Sequence, residues 1–318
     1  MARNLYFDIL KGIAIILVVV GHAGYNSETV LWHFIYSFHM PLFMIISGWF
    51  FYYSFKKRTP IEIIKRRFTQ LIIPTLFFSC FFWLIKYPSA DQPNGIVSFY
   101  AVYIRTLWFL QACFYSTLLF LSGRFSKNEK YAVLYYFLLF IILLLTPDIA
   151  RTAGAKFLFP CFCVGYYLHK INYQKIVRHR NIILIVFLCA YIILLYFFKA
   201  EYAFYSSGVS LINDEYSVPQ MLFINVYRLI IGVVGSFSLM LLVRMFYRKF
   251  VLSVKTVLSR LGQQTMGIYI TSELLLFLLI KIVTPPADIN IIWIITYSIV
   301  MLVLSYYLTV LFKNLKAI

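Results

Sequence analysis

Apolar residues fall along this chain in long runs, and the polar positions collect between the runs instead of alternating within them. A window of about 19 residues, close to what a helix needs to cross the hydrocarbon core of a bilayer, finds ten such stretches. They lie at 7–24, 30–54, 68–86, 98–121, 131–147, 153–169, 181–199, 219–245, 262–283 and 289–312. The expected fold is an all-α integral membrane protein of about ten transmembrane helices. The first stretch is short, and Pro160 and Gly165 interrupt the sixth. Re-entrant or cavity-lining helices have this character.

The connections set the orientation. Those after the second, fourth, sixth and eighth stretches hold 18 of the 29 Lys and Arg residues, including Lys56-Lys57-Arg58 and Lys65-Arg66-Arg67. The opposite connections hold most of the acids, among them Glu28, Asp91, Asp148, Asp214 and Glu215. The positive-inside tendency then puts the basic connections and both termini in the cytoplasm. Composition agrees: the chain is 62% hydrophobic and 13% charged, against roughly 25% charged for a soluble domain. The net charge of +18 is read as a topology signal, and no nucleic-acid partner is expected. A multi-pass protein of the plasma or inner membrane is expected, with one transmembrane domain over 1–318 and no appended soluble domain. Asp8 stands where a signal peptide would be purely basic, so the first stretch is kept as a span.

All five cysteines, Cys80, Cys113, Cys161, Cys163 and Cys189, sit inside apolar runs and none forms a CxxC pair. They read as packing residues, with neither a disulfide framework nor a metal site. No P-loop, zinc spacing, nucleophile elbow or dinucleotide-binding glycine pattern occurs.

Ionisable groups inside a bilayer are costly and so are functional candidates by default. Lys11 and His22 are eleven residues apart, about three turns plus 20° and roughly 16 Å along a helix. They share a face. Asp8 is three residues before Lys11, within ion-pair reach. His22 is the sharpest candidate for a general base acting on a hydroxyl; the bland alternative is an imidazole wetted by headgroups. Asp8 and Lys11 equally suit an interfacial anchor. Lys65, Arg66 and Arg67 suit a phosphate-bearing ligand, and anionic lipid explains such clusters as well. In the second stretch His39 precedes the helix-kinking Pro41, and Ser47-Gly48 follow; a hydrogen-bonded core histidine is as good a reading of His39 as a catalytic one. Arg105 and Trp108 open a polar and aromatic patch, Trp108 either stacking on a sugar or belonging to the interfacial aromatic belt. Arg228 and Glu273 are further intramembrane charges, and their pairing with each other is left open.

The ordered set Phe7-Asp8, Lys11-Gly12, Lys11-x10-His22, Phe38-His39-Met40-Pro41-Leu42-Phe43, Ser47-Gly48, Arg66-Arg67 leading to Pro74, Leu107-Trp108-Phe109-Leu110, and Gly262 with Thr265-Met266-Gly267-Ile268-Tyr269 resembles the acyltransferase-3 family. The resemblance spans nearly the whole chain. It implies a ten-helix enzyme that moves an acyl group from a coenzyme A thioester, acetyl-coenzyme A foremost, to a hydroxyl of a cell-surface polysaccharide or lipid-linked sugar. His22, with Asp8 and His39, would be catalytic; Lys11, Lys65, Arg66 and Arg67 would hold the donor; Trp108, Ser47 and Arg105 would meet the acceptor. Many members carry a histidine soon after the tyrosine matching Tyr269. Here the positions read Thr271-Ser272-Glu273, and the resemblance assigns them no catalytic part. Direct transfer and an acylated His22 both remain open, as does a homodimer. The rival reading is a transporter of a glycan or lipid-linked sugar with Lys11 and His22 lining its path.

Overall fold

The computed structural model describes residues 4–23, 29–86, 107–126, 128–148, 152–169, 180–279 and 290–314. Among them the regular structure is helical, with no strand. Helix α1 runs Leu5–Ala23, α2 Val30–Lys57, α3 Pro60–Arg67, α4 Ile73–Lys86 and α5 Trp108–Ser122. After these come α6 Glu129–Leu144, α7 Thr152–Leu168, α8 Arg180–Tyr196 and the single turn α9 Phe204–Ser207. The last are α10 Val218–Phe246, α11 Leu252–Gln263, α12 Thr265–Leu279 and α13 Ile291–Asn314.

Among the described residues, five helical segments are long and apolar enough to cross a membrane: Leu5–Ala23, Val30–Lys57, Pro60–Leu84, Val218–Phe246 and Ile291–Asn314. Shorter apolar helices cover Ala153–Leu168, Asn181–Tyr196 and Thr265–Leu276. Several helices carry apolar side chains on outward faces, such as Ile182, Ile185 and Ile192 on α8 and Ile292, Ile295 and Ile299 on α13. Water would not tolerate so much apolar surface, whereas lipid does.

Two departures from the hydropathy pattern are instructive. The third stretch was expected from 68, but helix begins at Pro60. Thr59 Oγ1 accepts from Glu62 N–H and Glu62 returns a carboxylate to Thr59 N–H, a capping box with proline at the first helical position. A π-helical segment, Phe68–Ile72, joins α3 to α4. Lys65, Arg66 and Arg67 are thus helical, in the last turn of α3. The second departure is α11, which no apolar window detects. Lys255, Arg260 and its serines dilute the run, but Ser259 and Gly262 face inward while Leu252, Val254 and Val257 face out.

The chain forms two compact units. The first comprises Met1–Phe43, Asn172–Ala200 and Ile231–Ile318. Here α1 packs on α11, α12 and α13. Where α1 crosses α11, a Cβ on Gly12 would fall on the Leu258 carbonyl, and one on Gly262 would fall on the Asp8 carbonyl. Only glycine permits this backbone-to-backbone approach. The second unit comprises Met44–Ile171 and Glu201–Ile230. In it α5 packs on α7, and Phe51, Phe120, Phe162 and Tyr166 form an aromatic core. Cys113 and Cys161 are buried, while Cys80 and Cys189 face outward, so packing inside the protein accounts for only some of the cysteines.

Candidate active site

Helix α1 displays its polar stripe as the spacing requires. Near its start the Lys11 ammonium lies 3.0 Å from Asp8 Oδ1, with Asp8 buried. Near its end His22 Nε2 lies 3.3 Å from Glu273 Oε1 of α12, both side chains partly exposed. Asp8 and His22 are separated by most of the helix, roughly 21 Å along its axis. Asp8 therefore acts on Lys11, whereas the carboxylate at the imidazole is Glu273. Sequence reasoning gave Glu273 no part and left its pairing with Arg228 open; instead it pairs with His22. Its signal was available, because a lone acid in an apolar helix needs a partner.

The wall beside this pair is aromatic and comes from α2. Tyr36 closes on Gly21, stacks on Trp32 with ring centroids 4.3 Å apart, and meets His39 edge-on at 5.0 Å. His39 is buried and its Nδ1–H donates to the Ile35 carbonyl at 2.7 Å. That bond fixes the ring and leaves His39 shaping the wall from within the core. Ser37 adds a 2.8 Å hydrogen bond to the Tyr191 hydroxyl, holding α2 against α8.

The remaining sequence candidates belong to the second unit or fall outside the described residues. Lys65 and Arg66 are exposed, while Arg67 is half-buried, its guanidinium 5.9 Å from the Phe51 ring centroid. Ser47 and Arg67 both lie beside the buried thiol of Cys113. Trp108 packs against Phe204, ring centroids 4.8 Å apart, and against Gly154. Arg105 lies outside the described residues. Arg228, buried, donates to the Gly208 carbonyl at 2.6 Å and to Ser207 Oγ at 2.7 Å. Close by, Lys156 Nζ is 2.9 Å from Asp148 Oδ1, and Asp148 Oδ2 accepts from the N–H groups of Val209 and Ser210. These charges fasten the 201–217 segment to α10, through Arg228, and to α7 and the stretch after α6, through Lys156 and Asp148.

Chemically, an imidazole oriented by a carboxylate is equipped to take a proton from a hydroxyl. With Nε2–H donated to Glu273, Nδ1 presents the lone pair; once protonated, the ring is stabilised by the carboxylate. Helices apolar enough for lipid together with such a pair suit a membrane enzyme that moves a group along with a proton. The acyltransferase-3 family model, described as an acyltransferase domain, matches residues 4–310, and the chain belongs to that family; it is an O-acyltransferase. It is similar to the nodulation protein NolL of Mesorhizobium japonicum, 28% identical over 286 residues covering 84% of this chain and 75% of the relative. NolL of Sinorhizobium fredii is 30% identical over 240 residues, 69% of this chain and 64% of the relative. No solved structure matches the chain.

Proposed function

We propose that the protein transfers an acetyl group from acetyl-coenzyme A to a hydroxyl of a cell-surface polysaccharide or lipid-linked sugar. In this proposal the protein lies in the plasma or inner membrane, with ten spans and both termini in the cytoplasm. The observation that carries it is the His22–Glu273 pair, 3.3 Å apart on two membrane helices. His22 Nδ1 takes the proton of the acceptor hydroxyl, and Glu273 holds the ring in the tautomer that can do so. The donor supplies the activated acyl group as a thioester. Lys65 and Arg66, exposed on α3, and Lys11, held by Asp8, are the cations proposed to attract its phosphates. Ser47 and Trp108 are proposed acceptor contacts. The transporter reading carries less weight, since the family match covers nearly the whole chain.

The test is transfer of radiolabel from acetyl-coenzyme A to surface glycan in membranes from cells expressing wild type or His22→Ala at equal abundance. Alkali-labile label on glycan with wild type and none with His22→Ala is the expected result. Equal labelling by both would overturn the assignment of His22. Loss of glycan export, with the acetylation of residual glycan unchanged, would restore the transporter.

A further inference from the structure

Within the second unit, a cavity of about 450 Å³ lies where the C-terminal ends of α2, α5 and α7 meet the first turns of α6. That volume is within the roughly 300–1,000 Å³ of small-molecule sites. Its walls are mostly aromatic, and its charges are Lys56, Arg124 and Glu129.

The rings are organised as faces. Phe120 stacks on Tyr136 with centroids 4.5 Å apart and planes 21° apart, and meets Tyr166 at 4.4 Å. Tyr136 is held in place by its hydroxyl, which donates to the Phe120 carbonyl at 2.7 Å, and by Gly123, which leaves room for the ring. The two cations are pinned at aromatic faces. The Lys56 ammonium is 4.6 Å from the Tyr52 centroid, and the Arg124 guanidinium 4.9 Å from that of Phe55. Arg124 is further tied to the Arg58 carbonyl at 2.8 Å. The ring cluster continues through Phe51 to Arg67.

A void for a lipid tail would need apolar walls and no fixed charge. A simple headgroup site would need cations and no set of ring faces. Aromatic faces combined with fixed cations match a planar heteroaromatic ring carrying phosphates: stacking holds the base, and Lys and Arg hold the anion. We infer that this cavity seats the adenine nucleotide end of the acyl donor, its ring among Tyr52, Phe120 and Tyr167 and its phosphates at Lys56 and Arg124. The inference rests on the acyl-transfer reading and on the proposed orientation, which puts these helix ends in the cytoplasm. On this inference nucleotide affinity and proton transfer depend on different residues.

The test uses the full chain in phosphatidylcholine nanodiscs and two radiolabelled probes, acetyl-coenzyme A and adenosine 3′,5′-bisphosphate, the second lacking any thioester arm. Ala132→Trp fills the cavity from its wall; Arg124→Gln removes a rim cation on a half-exposed residue; Lys255→Ala removes a half-exposed cation outside it. Wild type and Lys255→Ala are expected to bind both probes, while Ala132→Trp and Arg124→Gln each lose about tenfold or more in affinity for both. If wild type binds acetyl-coenzyme A and folded Arg124→Gln and Ala132→Trp bind it equally well, the cavity assignment falls and the acyl-transfer reading stands. If folded wild type binds neither probe, that reading falls and takes the inference with it. Retention of phosphatidylglycerol by wild type but not by Ala132→Trp, with no nucleotide bound, would assign the cavity to lipid and overturn the inference.

Discussion

His22 Nε2 and Glu273 Oε1 stand 3.3 Å apart, joining the end of α1 to the middle of α12. The contact links the sharpest candidate for a general base to a position at which this chain departs from the pattern it resembles. In the proposed mechanism the carboxylate on Nε2 leaves Nδ1 as the base, with no second histidine on α12.

Removing the base and removing its orienting partner have separable consequences. His22→Ala is expected to lower the transfer rate by about 10²–10⁴, the usual span for a positioned general base. Glu273→Gln keeps the shape and can still hydrogen-bond, but no longer stabilises a protonated ring; its loss is expected in kcat, with donor KM unchanged. Glu273→Asp, one methylene shorter, is expected to fall between the two. Initial-rate kinetics on the three variants check this, and a Glu273→Gln enzyme with wild-type kcat would remove Glu273 from the mechanism. In the same assays, intersecting double-reciprocal lines are expected for direct transfer, and parallel lines would indicate an acylated His22.

The Lys156–Asp148 pair makes a stability prediction. Lys156 is almost fully buried and donates to the carbonyls of Thr146 and Pro147 as well as to Asp148. Lys156→Met would remove Asp148's ion-pair partner, and since only the lysine side of the pair is buried the cost is expected to be about 1–3 kcal/mol, below that of breaking a fully buried pair. Because Asp148 also accepts from Val209 and Ser210, the 204–216 segment should loosen first. Hydrogen exchange in detergent is the check: faster exchange confined to that segment is expected, and unchanged protection there would show that the pair is not what holds it.

What the residue pattern disclosed depended on how local each signal was. The stripe of Asp8, Lys11 and His22 follows from helical spacing alone, and the ion pair and the shared face appear as expected. The apolar runs marked the long helices because lipid-facing and buried positions are both apolar, so a hydropathy window sees them equally. The same window could not find α11, whose inward face is the small residues Ser259 and Gly262, nor the start of α3, which depends on the Thr59–Glu62 capping box. The pairing of His22 with Glu273, some 250 positions away in the chain, was beyond it as well. The grouping of Ser47 and Arg67 at Cys113 is likewise tertiary, and no periodicity encodes it.

The crossing of α1 and α11 gives a test that is independent of chemistry. Gly12→Ala and Gly262→Ala each place a methyl group on a carbonyl of the opposite helix, so the helices must separate. Each is expected to cost about 1–3 kcal/mol. Since one separation relieves both clashes, the double variant should cost clearly less than the sum. Thermal unfolding of the four proteins measures this. Strict additivity would show that the two glycines do not share one contact.

Arg66 and Arg67 are neighbours in sequence with different surroundings, and that difference is a prediction. Arg66 is exposed on α3, so Arg66→Ala should leave folding intact, raise donor KM several-fold, and lose its effect as salt screens the exposed charge. Arg67 turns inward over Phe51 beside Cys113, so its removal takes away packing and a cation–π contact worth about 1 kcal/mol. Arg67→Ala is therefore expected to lower Tm as well as activity. Arg67→Lys should restore the charge but only part of the stability, because an ammonium lacks the planar, delocalised group that Arg67 brings to the ring. Melting curves paired with donor KM for the three variants decide the matter. Equal Tm for Arg66→Ala and Arg67→Ala would mean that both side chains serve only as charges, and the inward geometry of Arg67 would then carry no stability.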